Sequence, residues 1–234
     1  FNACSDDDDP APAPAPVPVD PVSETINVTG MLSGANTWTS NNTYILNQKV
    51  VVDAGATLTI EAGTVIKGSA GAGSLASALV VARGGQIFAN GTADAPIIMT
   101  SVADNLDGNL DPSSPDTQGL WGGLLVLGNA PCSFEGDVVE AQIEGIPADD
   151  TFGLYGGNDP SDNSGVITYV SVRHGGAVIG ENNEINGITL GGVGNGTVIE
   201  NIEVVANSDD GIEFFGGTVT VSYTHLTLPT KVEV

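Results

Sequence analysis

Basic side chains are scarce: five Lys plus Arg stand against 29 Asp plus Glu, for a formal charge of -24. A chain so acidic repels phosphate backbones and polyuronates, which argues against nucleic acid as a partner. Lyase chemistry on a sugar acid needs a base beside the substrate, and ahead of the last thirteen residues only Lys49, Lys67, Arg83 and Arg173 are on offer, scattered along the chain. Cysteine is almost missing too. Two residues, Cys4 and Cys132, build no disulfide framework. No apolar run approaches the roughly 20 residues a membrane-spanning helix requires. Aromatics make up 5% of the chain, and helical periodicity is nearly absent.

What is abundant is glycine, 32 residues, together with short β-prone runs. Val50 to Gly68 reads VVVDAGATLTIEAGTVIKG, three runs of at most five residues broken at Gly55 and Gly63. Within the second run Leu58 and Ile60 point one way and Thr57, Thr59 and Glu61 the other. Three strands turning at glycines in about twenty residues match one coil of a parallel β-helix, which buries its apolar side only against neighbouring coils. The pattern recurs. Gly84 to Ala89 lies over Gly55 to Ile60, with Ile97 to Thr100 as a further side, and Val166 to Val172 aligns with Val198 to Val204. The expected fold is all-β, a right-handed single-stranded parallel β-helix of some seven or eight coils, about 35–40 Å long at ~4.8 Å per coil. Its predicted inward residues are Leu58, Ile60, Ile87, Val170, Val172, Ile202 and Val204.

Four segments are expected. Residues 1–9 carry Phe1-Asn2-Ala3-Cys4, which resembles a bacterial lipobox with Cys4 as the acylated residue, followed by Ser5, Asp6, Asp7, Asp8 and Asp9. That acidic run resembles the export signal of surface lipoproteins in Bacteroidota-type bacteria; a stray thiol and a solvated acidic tail are the alternatives. The resemblance implies an outer-membrane protein that faces outside the cell, its partner being membrane lipid reached through acyl chains. Residues 10–21, PAPAPAPVPVDP, form a polyproline II spacer about 37 Å long at 3.1 Å per residue. Residues 22–221 are the β-helix, with Trp38 and Tyr44 closing its first coil rather than binding sugar. Residues 222–234 begin SYTHLTLPT, which resembles translated sequencing-adapter DNA. Aligning Thr218-Val219 with Thr197-Val198 would place Tyr223 and His225 at interior positions, so the solenoid is expected to stop near Val221, truncated, with a tail that packs poorly.

From Gly30 onward the chain resembles a family of surface and secreted right-handed β-helix repeat proteins of Bacteroidota and related bacteria. The likeness rests on Ala56 to Gly68, Gly119 to Pro131 (GLWGGLLVLGNAP), Glu144-Gly145-Ile146, Tyr155 to Val166 and Gly211 to Gly217 (GIEFFGG). It implies fold and location and carries over no catalytic residue.

Two acidic insertions are calcium candidates, each weighed against a solvated loop. One offers Asp104, Asp107 and Asp111 within DNLDGNLDPSSPD; the other offers Asp159 and Asp162. The first is not an EF-hand, since with Gly108 at the hinge its first and last ligand positions fall on Ala103 and Ser114. Cys132, with no basic neighbour, is read as a small buried residue rather than a nucleophile. For catalysis, Asn207-Ser208-Asp209-Asp210-Gly211 resembles the paired-aspartate strand of polygalacturonases, and Arg173-His174-Gly175 faintly resembles their histidine motif, but in the wrong order. Asp209 and Asp210 would serve as acid and base in reach of one glycosidic oxygen, and their meeting His174 on one outer face would favour an enzyme. The leading expectation is a surface binding or structural module, for a polysaccharide or another surface protein, with a polysaccharide hydrolase or lyase as the alternative.

Overall fold

The computed structural model describes residues 23–180 and 183–227. The lipobox, export signal and spacer lie outside them, as does the end of the C-terminal tail.

Short β-branched runs interrupted by turns give short strands, and each strand finds its partner one coil away. Coil one is β1 (Thr25–Leu32) and β2 (Ala35–Trp38); coil two is β3 (Thr43–Val52) and β4 (Thr57–Ile60). Coil three is β5 (Val65–Gly68), β6 (Ala78–Val81) and β7 (Gln86–Asn90). Coil four runs through β8 (Ile97–Ser101) and β9 (Leu124–Leu127), leaves the solenoid for a small hairpin of β10 (Ala141–Gln142) and β11 (Leu154–Tyr155), and returns in the first half of β12 (Gly165–Arg173). Coil five takes the second half of β12, a hairpin of β13 (Val178–Gly180) and β14 (Asn183–Glu184), then β15 (Ile188–Gly191) and the start of β16 (Val198–Val205). Coil six finishes β16, passes through β17 (Ile212–Phe215) and enters β18 (Val221–Thr227), whose second half begins a seventh.

The pairings stack these strands into three parallel faces. Face A is 25–28, 43–46, 65–68, 97–101, 170–173, 202–205 and 224–227. Face B is 30–32, 50–52, 78–81, 124–127, 188–191 and 212–215. Face C is 35–38, 57–60, 86–90, 165–168, 198–200 and 221–222. Among the described residues there are therefore six complete coils and one side of a seventh, about 29 Å at ~4.8 Å per coil. The count falls short of seven or eight because the fourth coil spends residues 102–123 and 128–164 on excursions.

Register on face C matches the repeat read from sequence: Thr57 pairs Gln86, Ile60 pairs Ala89, and Val166 pairs Val198. All seven predicted inward residues are buried, none more than 2% exposed. Interior ladders run straight through the stack, for example Ile60, Ala89, Ile167, Ile199 and Val221, or Tyr44, Ile66, Met99, Val172 and Val204. Trp38 and Tyr44 stack at 4.7 Å inside the first two coils, where they fill the core rather than present a sugar platform.

Two corrections concern the tail. First, Ile199 pairs Val221 and Ile202 pairs Thr224, one residue later than the Thr218-Val219 alignment requires. Tyr223 consequently stands at a corner, at φ 55, stacked in register with Asn201 (φ 56) and Tyr169 (φ 49), and His225 lies opposite outward-facing Glu203. Second, strand pairing does not stop at Val221 but follows β16 to Thr227, because a backbone ladder asks little of side-chain identity. The Tyr223, Thr224 and His225 side chains are exposed all the same.

A second apolar cluster lies outside the solenoid. Val51, Val80 and Leu125 form an outward ladder on face B and are covered by Ile143, Ile146, Tyr155 and Ile185 from the excursions. Ala78–Val81 and Leu124–Leu127 are therefore buried on both faces, which is why they read as unbroken apolar runs.

Candidate functional site

With face B covered by its own insertion, the outer surfaces of faces A and C stay open, and on face A polar side chains gather. Interior Val170, Val172, Ile202 and Val204 fix the strands, so the alternate residues Ser171, Arg173 and Glu203 point outward. Arg173 Nε donates to Ser171 Oγ at 2.8 Å, and Nη2 pairs with Glu203 Oε2 at 3.3 Å. Ser171 Oγ in turn donates to Glu203 Oε2 at 2.5 Å. The corner residues Tyr169 and Asn201, with Pro96 beside them, complete a shallow depression of ≈ 290 Å³. Their left-handed backbone turns the chain there and sets the rim. The depression offers a guanidinium fork, a carboxylate, an amide and an aromatic ring, a set suited to hydrogen-bonding hydroxyls and stacking a ring.

The sequence candidates for catalysis all sit at the corner between faces A and B, yet they do not form a unit. His174 follows β12 at φ 59, is 4% exposed, and its Nδ1 donates to the Thr117 carbonyl at 2.7 Å. Asp209 and Asp210 are exposed on the loop below β17, and no hydrogen bond or ion pair joins either to His174. The calcium candidates are spent on local turns. Asp104 is buried and accepts from Thr100 Oγ1 (2.9 Å) and the Leu106 amide (2.8 Å). Asp107 accepts from the Asn109 amide at 2.9 Å, and Asp111 from the Ser113 amide and hydroxyl at 2.9 and 2.7 Å; these bonds hold both carboxyls below the ordinary range. Asp159 accepts from Ser161, at 3.0 Å from the amide and 2.8 Å from the hydroxyl. Burial pushes Asp162 upward. Among the described residues no three His, Cys, Asp or Glu side chains converge as metal ligands. Cys132 is half-buried, with Sγ donating to the Phe215 carbonyl at 3.4 Å, and burial raises its pKa, which keeps it a thiol.

One constellation escaped the sequence reading. Asn186, fully buried, donates through a single Nδ2 to Glu144 Oε1 at 3.3 Å and to Glu213 Oε2 at 2.6 Å. Glu144 belongs to the insertion and Glu213 to β17, and the two are far apart in sequence. Burial first, then the Glu213 and Asp209 charges, raise the Glu144 carboxyl above its ordinary range. The available signal was that both glutamates sit inside motifs singled out above, Glu144-Gly145-Ile146 and Gly211 to Gly217.

A family model described as a pectate-lyase-like β-helix domain matches residues 30–228, which hold all of coils two to six and the rest of coil one after its face A strand. The chain belongs to this family. No curated protein and no solved structure matches it. Membership in the pectate-lyase-like β-helix family agrees with the parallel three-faced stack.

Proposed function

We propose that this chain is a cell-surface lipoprotein whose β-helix binds a neutral polysaccharide along face A. The observation that carries the reading is the Ser171–Arg173–Glu203 cluster with Tyr169 and Asn201 at its rim, a shallow depression more apolar than polar in its lining, on an uncovered face. The charge of -24 disfavours a polyuronate and leaves hydroxyl-rich neutral chains as the better complement. Hydrolysis is the weaker reading. The nearest paired carboxyls, Glu144 and Glu213, lie against the insertion on face B, away from the depression, and His174 is committed to Thr117. Calcium is not needed for this binding mode. The lipid anchor on Cys4, the Ser5 to Asp9 export signal and the spacer complete the proposal from sequence: the anchor supplies the membrane, the spacer the reach.

Two measurements test it. Arg173 and Glu203 are partly exposed, so their pair contributes at most about 1 kcal/mol to stability. Replacing Arg173 by Ala should leave the thermal midpoint nearly unchanged while weakening retention on neutral glycans in affinity electrophoresis by about tenfold, the loss of ~1.4 kcal/mol of contact. Equal retention of both proteins would remove face A as the binding surface. For location, Cys4→Ser should abolish incorporation of labelled fatty acid and release the protein from membranes. Persistent label would point to a different anchor.

A further inference from the structure

The 128–164 insertion is fastened to the solenoid at two places of opposite character. At one, Arg83 Nη1 donates to the Gly156 carbonyl at 2.8 Å and pairs with Glu140 Oε2 at 2.7 Å, a conventional cation clamp. At the other, Glu144 of the insertion meets Glu213 of β17 across the Asn186 amide, at 3.3 and 2.6 Å from one nitrogen. Two carboxyls are thus drawn to a shared donor, and among the described residues neither forms an ion pair with a Lys or Arg. The other titratable groups facing them are Asp209, on the loop before β17, and the Tyr155 phenol on β11; neither supplies positive charge. Asn186 keeps this geometry at a cost. Its Oδ1 is buried without a partner, a penalty on the order of 1–3 kcal/mol, so the side chain is held in place for what its NH₂ group does.

We propose that Glu144 and Glu213 form a proton-held latch that keeps the insertion closed over the apolar outer surface of face B. With one proton between them the pair is singly charged and Asn186 satisfies both members. With none, two carboxylates face each other in a half-buried setting and repel, which favours lifting the 141–155 hairpin from Val51, Val80 and Leu125. The sign follows from which form binds the proton more tightly. Glu144 titrates above the ordinary carboxylate range when closed and within that range when open to solvent. Closure is therefore fully favoured below the ordinary range, and that advantage is lost as pH rises through the raised value. The Arg83 clamp at the other end serves as the hinge side.

Hydrogen–deuterium exchange on the full chain tests the latch, with protection factors corrected for the pH dependence of intrinsic exchange. Between pH 5 and pH 8, amides in 141–155 should lose protection by on the order of tenfold, while β7 and β12 keep theirs. Glu144→Gln retains the acceptor for Asn186 but cannot ionise, so its protection should be high and flat across the same interval. Glu213→Gln should behave alike and provides the test should the first variant fold poorly. Arg83→Met should loosen the insertion equally at both pH values. A native profile that is flat, or a glutamine variant that falls as the native protein does, overturns the proposal.

Discussion

Gly165→Ala should destabilise the protein more than any other single-methyl change on the solenoid. Gly165 opens β12 at φ 113, in register with Ile87, and a Cβ there would press into the Ile87 carbonyl and backbone nitrogen. The neighbouring coil cannot yield cheaply, because the Ile87 amide is itself bonded to the Ser164 carbonyl at 2.9 Å. Conformational strain of about 1–3 kcal/mol then adds to a backbone displacement between coils three and four. A total on the order of 3 kcal/mol would lower the midpoint by roughly 6–12 °C for a domain of this size. Gly55→Ala is the control. Its φ of 76 is also positive, but nothing lies within 4 Å of the added carbon, so only about 1–2 kcal/mol of left-handed strain is expected. Calorimetry on the two variants separates close approach from conformation; equal losses would mean that the contact between coils tolerates a methyl group at Gly165.

That contrast shows what the sequence could and could not reveal. Alternation in Val166 to Val172 and Val198 to Val204 specified both the stacking and its register, since a slip by one would turn every interior side chain outward. Corners are less legible. Tyr169, Asn201 and Tyr223 share a left-handed backbone at one level of three successive coils, yet only Asn favours that conformation, and no alternation rule marks the place. The one-residue offset of the tail arises before this corner, in the turn between β17 and Val221, since Ile199 already pairs Val221. In the same way Leu124–Leu127 hinted at burial on both faces, but nothing local said that residues 128–164 would supply the cover.

The candidate sites divide along the same line. Arg173 and His174 are adjacent, and sequence drew attention to His174, whose side chain is buried and bound to Thr117 of the 102–123 excursion, whereas the outward Arg173 lines the depression. Aspartates followed two residues later by Ser or Asn look like ligand loops, but that spacing equally makes the short turns seen at Asp107, Asp111 and Asp159. Glu144, Asn186 and Glu213 are joined only by folding. Their meeting depends on where an excursion lands, which no periodicity encodes.

Trp121 links these parts, and its replacement is expected to have an effect of the same order as Gly165→Ala. It is fully buried within the solenoid core at the corner between faces A and B, seated over Gly68, where any side chain would collide with the indole. Its Nε1 donates to the Arg173 carbonyl at 2.7 Å, which ties the 102–123 excursion to the strand that bears the face A cluster. Trp121→Ala removes the plug and the donor together and should cost about 3–5 kcal/mol. Trp121→Phe keeps most of the plug but leaves the Arg173 carbonyl without its donor, for roughly 1–3 kcal/mol. If the indole hydrogen bond also positions Arg173, the Phe variant should lose part of its glycan retention at a temperature where circular dichroism shows it fully folded. Retention equal to that of the native protein would confine Trp121 to a packing role, and a Phe variant as unstable as the Ala variant would show that the hydrogen bond, rather than the volume, holds this corner together.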